Sequence, residues 1–210
     1  MTDTAADKTP KRARRRLALS LLLALLALAA FLVFVRRPSH SLAFDTLHPH
    51  TQRALLNLGV EPGRVAQGLG LAPASAGIHA IDGWVERRPY CAAFDLDVSD
   101  LTPAQTAALL HRLRGAGLAC WWRVPGVSFP MATRLGIEAG AHIHGIDPFV
   151  PHKRRLELQV HDYLAGNNGI EVGQYAHRPD PPAACPQTAA ERDTLRRLLA
   201  KAPGQGRHRV

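Results

Sequence analysis

The sequence contains only three cysteines in 210 residues, and they occur singly, as Cys91, Cys120 and Cys185. No C-x-x-C pair is present, which argues against a cysteine-based zinc module and against a dithiol redox motif. Cys91 and Cys120 lie in apolar segments that we expect to form core strands, where a thiol behaves as a small hydrophobic side chain. With three cysteines, the sequence does not indicate which two would form a disulfide.

A widely distributed basic charge is also lacking. The formal net charge is +9, but eight basic residues lie in the first 37 positions, six of them in the stretch KTPKRARRR (residues 8–16) and the other two as Arg36 and Arg37. The remaining residues carry a small positive excess, and no predicted helix face presents a run of Lys and Arg. We therefore expect no nucleic-acid partner.

One long hydrophobic run is present, LALSLLLALLALAAFLVFV, which spans residues 17–35 without a charged side chain. At a rise of about 1.5 Å per residue, such a run is long enough to cross a hydrocarbon core of about 30 Å. The alternative is a signal peptide cleaved after Ala29, but the apolar run continues beyond that position. We expect an uncleaved, single-pass inner-membrane anchor with a cytoplasmic N-terminus, because the basic cluster precedes it.

This interpretation divides the chain into five segments. They are a basic cytoplasmic segment (1–16), the transmembrane helix (17–35), a tether (36–44), a periplasmic domain (45–175), and a Pro-rich linker with a C-terminal helix and tail (176–210). We expect the last segment to be peripheral, because its composition changes to HRPDPPAACP followed by a short charged helix.

The periplasmic segment predicts a small α+β domain in which helices flank an antiparallel sheet. Helices are expected within 47–59, 102–115 and 151–169, strands within 90–98, 118–124 and 141–147, and a hairpin within 78–86. Thr102, Pro103 and Gln105 form a capping-box start for the second helix. Asp82-Gly83 is expected to form the hairpin turn, and residues 60–77 an extended loop.

Two histidines stand out in the last strand, AHIHGID. His142 and His144 are two positions apart, so they project from one face of a strand, and Asp95 and Asp97 do the same in AAFDLDV. His79 lies beside the hairpin. A catalytic zinc needs three ligands of this kind, and either aspartate satisfies the periodicity. Polar residues on a solvated sheet face are the alternative. The other eight histidines lie in tails, linkers or on helices.

The segments IHAIDGWVERRPYCAAFDLDV and AHIHGID together resemble the LAS group of zinc peptidases, and within it the D-Ala-D-Ala carboxypeptidases and endopeptidases that share the hedgehog/DD-peptidase fold. Their pattern is S-x-H-x-x-G-x-A-x-D followed later by H-x-H. The resemblance implies that His79, Asp95 and His144 bind Zn²⁺ and that His142 is the catalytic group beside the metal.

The chain departs from this pattern at two points. Six residues separate the His from the Asp in the family pattern, whereas fifteen separate His79 from Asp95, and Cys91 replaces the glycine. An inserted hairpin would explain the longer spacing. Glu138 is a rival to His142 as the general base, and a solvated loop residue is the alternative for it.

The resemblance implies metal-assisted amide hydrolysis. We expect a membrane-anchored, periplasmic zinc peptidase that acts on peptidoglycan peptides, with Arg123 pairing a substrate carboxylate; a surface Arg at a strand end is the alternative for that residue. Trp121 and Trp122 point to opposite faces of their strand, so one is expected in the core and the other in the groove. Another function remains open, a non-catalytic peptidoglycan-binding or envelope-assembly module that retains the zinc site, as does a bitopic scaffold without metal.

Overall fold

The computed structural model describes residues 41–70, 77–128, 140–170 and 176–202, all of which belong to the compact unit Ser39–Val210. The predicted transmembrane helix (17–35) and Glu138 lie outside the described residues. Among the helices that are described, none combines the length and apolar character needed to cross a bilayer.

Five α-helices are present in the described part of the chain. They are α1 (Leu42–Asp45), α2 (Pro49–Asn57), α3 (Pro103–Gly115), α4 (Arg154–Ala165) and α5 (Ala189–Lys201). The predicted capping box is confirmed, because the Thr102 hydroxyl accepts from the Gln105 amide while the Gln105 side chain binds the Thr102 amide. Helix α4 ends at Gly166 in the left-handed conformation (φ 85°), as its glycine predicts.

Six strands form one four-stranded sheet and one hairpin. The strands are β1 (Val65–Gln67), β2 (Gly83–Val85), β3 (Arg88–Tyr90), β4 (Ala93–Asp97), β5 (Ala119–Arg123) and β6 (His142–Ile146). The sheet has the order β1-β4-β6-β5 with every pair antiparallel, while β2 and β3 pair with each other. The predicted α+β class with a small antiparallel sheet is confirmed.

The register of the two central strands divides their side chains between two faces. Asp95 lies opposite His144 on β6, and Trp121 on β5 lies opposite the same histidine. Residues directly opposite one another share a face of the sheet. We call the face that carries these three side chains the site face. Helix α4 covers its apolar end through Leu156, Val160 and Tyr163.

The other face of the sheet forms the larger apolar core. Phe94, Leu96, Cys120 and Ile143 are fully buried there against the leucines of α3 (Leu109, Leu110 and Leu113). Gly145 is required on this face because a Cβ atom at that position would overlap the ring of Phe94. The prediction that Cys91 and Cys120 are buried is confirmed, and all three cysteines are free thiols.

A hairpin is present, but it lies later in the chain than predicted, because Gly83–Val85 pairs with Arg88–Tyr90. The turn lies at Glu86 and Arg87, both with positive φ (49° and 66°), and not at Asp82-Gly83. The side chain of Asp82 is instead fully buried and accepts hydrogen bonds from the backbone amides of Ala92 (2.8 Å) and Lys153 (3.0 Å). A buried carboxylate with two amide donors and a Lys partner fixes the base of the hairpin.

Two further segments are more structured than the sequence predicts. Val65–Gln67, expected within an extended loop, forms the edge strand of the sheet. Helix α5, expected to be peripheral, packs against α3 and α4 and contributes the fully buried Leu195 to the core of the site face. The C-terminal helix therefore belongs to the folded domain.

Candidate metal centre

The structure brings the three predicted ligands together. Among the described residues, His79, Asp95 and His144 form a group whose donor atoms lie within 4.8 Å of one another. Asp95 and His144 come from the two central strands, where they are direct cross-strand neighbours. His79 comes from the turn that precedes the hairpin. The chain leaves the site after His79, forms the hairpin and returns to the site at Asp95. The fifteen intervening residues therefore do not separate the ligands in space.

Asp95 lies between the two imidazoles. Its Oδ1 is 2.8 Å from His144 Nδ1, and its Oδ2 is 3.2 Å from His79 Nε2. The side chains of His79 and His144 are 3% and 8% exposed, whereas that of Asp95 is 14% exposed. The group is thus enclosed, with the carboxylate as its most accessible member.

The far nitrogen of each histidine is held by a group that can only accept a hydrogen bond. Gln159 on α4 donates its amide nitrogen to the carbonyl of Gly169 (3.0 Å), so its Oε1 faces His144 Nε2 at 3.3 Å. His79 Nδ1 lies 2.9 Å from the carbonyl oxygen of Gly68. With a cation in the group, these contacts keep the single proton of each imidazole on Nε2 of His144 and on Nδ1 of His79.

The other two nitrogens, His144 Nδ1 and His79 Nε2, would then present lone pairs. Both face the carboxylate oxygens of Asp95. Three electron-pair donors that face one another repel unless a cation or additional protons lie between them. In metal sites, the histidine nitrogen that does not bind the metal usually donates a hydrogen bond to an oxygen acceptor such as a carbonyl. The residues therefore fit a divalent cation.

The protonation tendencies of the group agree with this arrangement. Burial lowers the pKa of His144, and this effect outweighs the opposing influence of Asp95, so the neutral imidazole is favoured. Burial by itself raises the pKa of Asp95, but in the metal-free group hydrogen bonds from protons on the facing nitrogens of His144 and His79 lower it further than burial raises it. An ionised carboxylate and a neutral imidazole are the forms that bind metal ions.

Trp121 and Arg123 form the wall beside His144. The indole of Trp121 is fully buried and stacks on the imidazole of His144, with the ring centroids 5.9 Å apart and the planes at 22°. Arg123 lies over the same indole, with Cζ 5.4 Å from the ring centroid, and its Nη1 donates to the carbonyl of Asn168 (2.7 Å). Burial lowers the pKa of Arg123. Arg123 is thus an enclosed residue and not a surface arginine.

His142 lies on the site face, two residues before His144 and opposite Asp97 and Arg123. Its side chain is partly exposed, and Nδ1 lies 2.7 Å from the carbonyl of Gly140. This contact assigns the proton to Nδ1 and leaves Nε2 as an acceptor. Asp97, the other aspartate allowed by periodicity, is exposed and binds the Ser99 amide. Geometry therefore selects Asp95 over Asp97.

The sequence does not indicate two groups that support the ligands. The amide of Gln159 reaches His144 from helix α4, and the carbonyl of Gly68 reaches His79 from the loop after β1. Gln159 is a polar residue on the face of α4 that also carries the buried Leu156 and Val160, and a buried glutamine of this kind is the only signal the sequence offers. The carbonyl of Gly68 has no sequence signal, because any residue supplies a carbonyl.

Comparison of the chain with protein-family models, with curated proteins and with solved structures finds no match. Fold and site thus define the class: an α+β domain with a buried His-Asp-His group that could hold a metal ion.

Proposed function

We propose that the protein is a zinc-dependent peptidase that hydrolyses amide bonds in peptidoglycan peptides. The observation that carries the proposal is the convergence of two imidazole nitrogens and one carboxylate in His79, Asp95 and His144. Two nitrogen ligands and one oxygen ligand form one of the usual donor sets of catalytic zinc sites, which leave a position for water and substrate. The resemblance of the sequence to LAS peptidases supports the choice of zinc and of a peptide substrate.

When bound, zinc would lower the pKa of a water ligand to about 7 and polarise the scissile carbonyl. The protein's own residues would orient the donor atoms. Gln159 holds the ring of His144 and the Gly68 carbonyl holds that of His79, so neither imidazole needs to rotate when the ion enters. Trp121 excludes water from one side of His144.

In this proposal His142 is the general base or the donor that stabilises the oxyanion. Its Nδ1 is bound to a carbonyl, so Nε2 is the atom that would accept a proton from water. Arg123 would orient the carboxylate of a stem peptide, because its guanidinium is held in a fixed position on the Trp121 ring.

The proposal places the domain outside the cytoplasm, tethered to the inner membrane through residues 17–35. The basic cluster before this apolar run supports a cytoplasmic N-terminus. Peptidoglycan peptides would then be within reach of the domain.

Metal analysis tests the site. The purified full-length chain should contain about one zinc per chain, and His79→Ala or His144→Ala should lose it because each removes one of three ligands. Asp97→Ala is the matched control, since this aspartate shares the strand of Asp95 but lies outside the group. A metal-free protein whose stability is unchanged in the two histidine variants would refute the proposal.

Digestion of purified peptidoglycan tests the reaction. The wild type should release new peptide fragments, and His142→Ala should reduce the rate by at least about 100-fold while it retains zinc, because a general base contributes about that much. Binding to peptidoglycan without new fragments would instead identify a non-catalytic module that uses the same metal site.

A further inference from the structure

A second cluster of reactive side chains lies away from the metal centre, where α3 packs against α5. Cys185 Sγ is 3.6 Å from His111 Nε2, and His111 Nδ1 is 2.6 Å from Glu191 Oε1. We call these three residues the thiol cluster. A carboxylate on Nδ1 assigns the proton to that nitrogen, so Nε2 presents its lone pair to the thiol.

The backbone and neighbouring side chains fix the thiol cluster in place. Glu191 lies in the first turn of α5, and its Oε2 accepts from the backbone amide of Thr188 at 2.7 Å. Arg114 from α3 is fully buried and donates Nη1 to the carbonyl of Cys185 (2.9 Å), and the same nitrogen lies 3.5 Å from Glu191 Oε2. One guanidinium therefore joins the backbone of the cysteine to the acid that orients the histidine.

The buried charge beside the thiol is incompletely satisfied. In the described part of the chain, Nη2 of Arg114 is buried and has no hydrogen-bond partner. Arg114 from α3 contacts the carbonyl of Cys185 and also pairs with Glu191 from α5. A cation that contacts the carbonyl of the cysteine partly balances negative charge that develops on its sulfur.

We propose that Cys185 is a reactive thiol that forms mixed disulfides with low-molecular-weight disulfides, with His111 as its base and Glu191 as the residue that orients the base. A nucleophile, a base within reach and a third group that orients the base are the arrangement that activates cysteine in proteins. The proposal is independent of the metal centre and of the peptidase reaction.

Accessibility separates Cys185 from the other two cysteines. Cys185 is partly exposed and the His111 side chain is 48% exposed, so a small disulfide can reach the sulfur. Cys91 and Cys120 are fully buried, and burial raises the pKa of both thiols, to about 12 for Cys91. Thiols of that kind are unreactive in the folded state.

The proposed step is a thiol–disulfide exchange. The proton of Cys185 passes to His111 Nε2 and the thiolate attacks one sulfur of the small disulfide. A new sulfur–sulfur bond forms as the sulfur–sulfur bond of the reagent breaks, and the leaving thiolate takes the proton from His111. The protein and one half of the reagent are joined, and the other half leaves as a thiol.

The rate of reaction with dithiodipyridine tests the proposal in the native full-length protein. At about pH 6.5 one thiol per chain should react rapidly, and Cys185→Ser should abolish this phase. His111→Gln should slow the phase by at least about 10-fold, because the base is removed. His161→Gln is the matched control, since this histidine lies 71% exposed on α4 and should leave the rate unchanged.

Glu191→Gln provides a second variant. Glutamine also supports a capping box, so α5 keeps its start while His111 loses its carboxylate partner. We expect a reduction of about threefold or more. The proposal is overturned if the reacting thiol is not Cys185, or if both the His111 and the Glu191 variants react at the wild-type rate while they retain the native circular dichroism spectrum.

Discussion

At the scale of the residue, His144 shows how the two nitrogens of one ring serve different purposes. Nδ1 faces Asp95 and Nε2 faces Gln159, so the glutamine decides which nitrogen is free for a cation. Gln159 itself cannot flip without losing its bond to the carbonyl of Gly169. The orientation of the proposed ligand is therefore set from helix α4 and not from the strand that carries it.

Removal of this support should weaken metal binding. We expect Gln159→Leu to lower zinc affinity by about 10-fold to 100-fold, which is the usual effect of losing the partner of a ligand histidine. Gln159→Glu should retain affinity, because a carboxylate also accepts from Nε2. Zinc titration against a competing chelator measures the change. Leu158→Ala, at the exposed neighbouring position, is the control and should bind as the wild type does.

At the scale of the element, the β2–β3 hairpin carries strain in its turn. Glu86 and Arg87 both adopt positive φ, a conformation that costs a residue with a side chain about 1–2 kcal/mol. We expect replacement of the pair by Asn-Gly to stabilise the protein by about 1 kcal/mol, since this pair suits a two-residue hairpin turn. Thermal unfolding of the two proteins measures the difference.

The position first expected to be the turn is the contrasting case. Asp82→Asn creates the same Asn-Gly sequence at 82–83, but it removes a buried carboxylate that binds two backbone amides and Lys153. We expect this substitution to destabilise the protein by about 1–3 kcal/mol. Stabilisation by it would contradict the assignment of the turn to Glu86 and Arg87.

Most elements follow from local signals that the sequence displays. The capping box at Thr102, the leucine stripe of α3 and the glycine that ends α4 each specify one element through neighbouring residues. The hairpin turn does not, because Asp82-Gly83 has the composition of a turn and is used for a buried contact instead. Short strand β1 has no pattern of its own, and only its pairing with β4 defines it.

For the candidate site, the sequence indicates the ligand residues but not the residues that hold them in place. The spacing of His142 and His144 predicts that they share a face of the sheet. The resemblance to LAS peptidases implies that Asp95 and His79 are ligands. The supports of the ligands depend on contacts between residues distant in sequence, such as His144 and Gln159 or His79 and Gly68, which one sequence does not reveal.

At the scale of the whole molecule, two ion pairs link distant parts of the domain and respond to pH in opposite directions. A hydrogen bond with the fully buried Asp147 raises the pKa of His50 above its ordinary 6.5. Burial raises the pKa of Glu191, but bonds from His111 and Thr188 outweigh it and bring the value below the ordinary 4.5. His50 thus stabilises the fold below pH 6.5, and Glu191 stabilises it above pH 4.5.

We expect both contributions to be present between pH 4.5 and 6.5. That of His50 is lost as pH rises through its raised pKa, and that of Glu191 as pH falls through its lowered pKa. Each should be no larger than about 1 kcal/mol, since His50 and His111 are about half exposed. Urea unfolding of the chelator-treated protein measures the profile. His50→Asn should flatten the alkaline side only, and Glu191→Gln the acidic side only.

The buried contact of Asp82 also bears on how such a site can vary among proteins. Asp82 ties the base of the hairpin to Ala92 and Lys153, so the chain beyond it leaves and rejoins the domain at fixed points. Residues can be added to or removed from the hairpin without moving His79 relative to Asp95. A pattern that demands a constant interval between the histidine and the aspartate therefore describes the length of a loop, whereas the ligand geometry is encoded in the pairing of β4 with β6 and in the contact of His79 with Gly68.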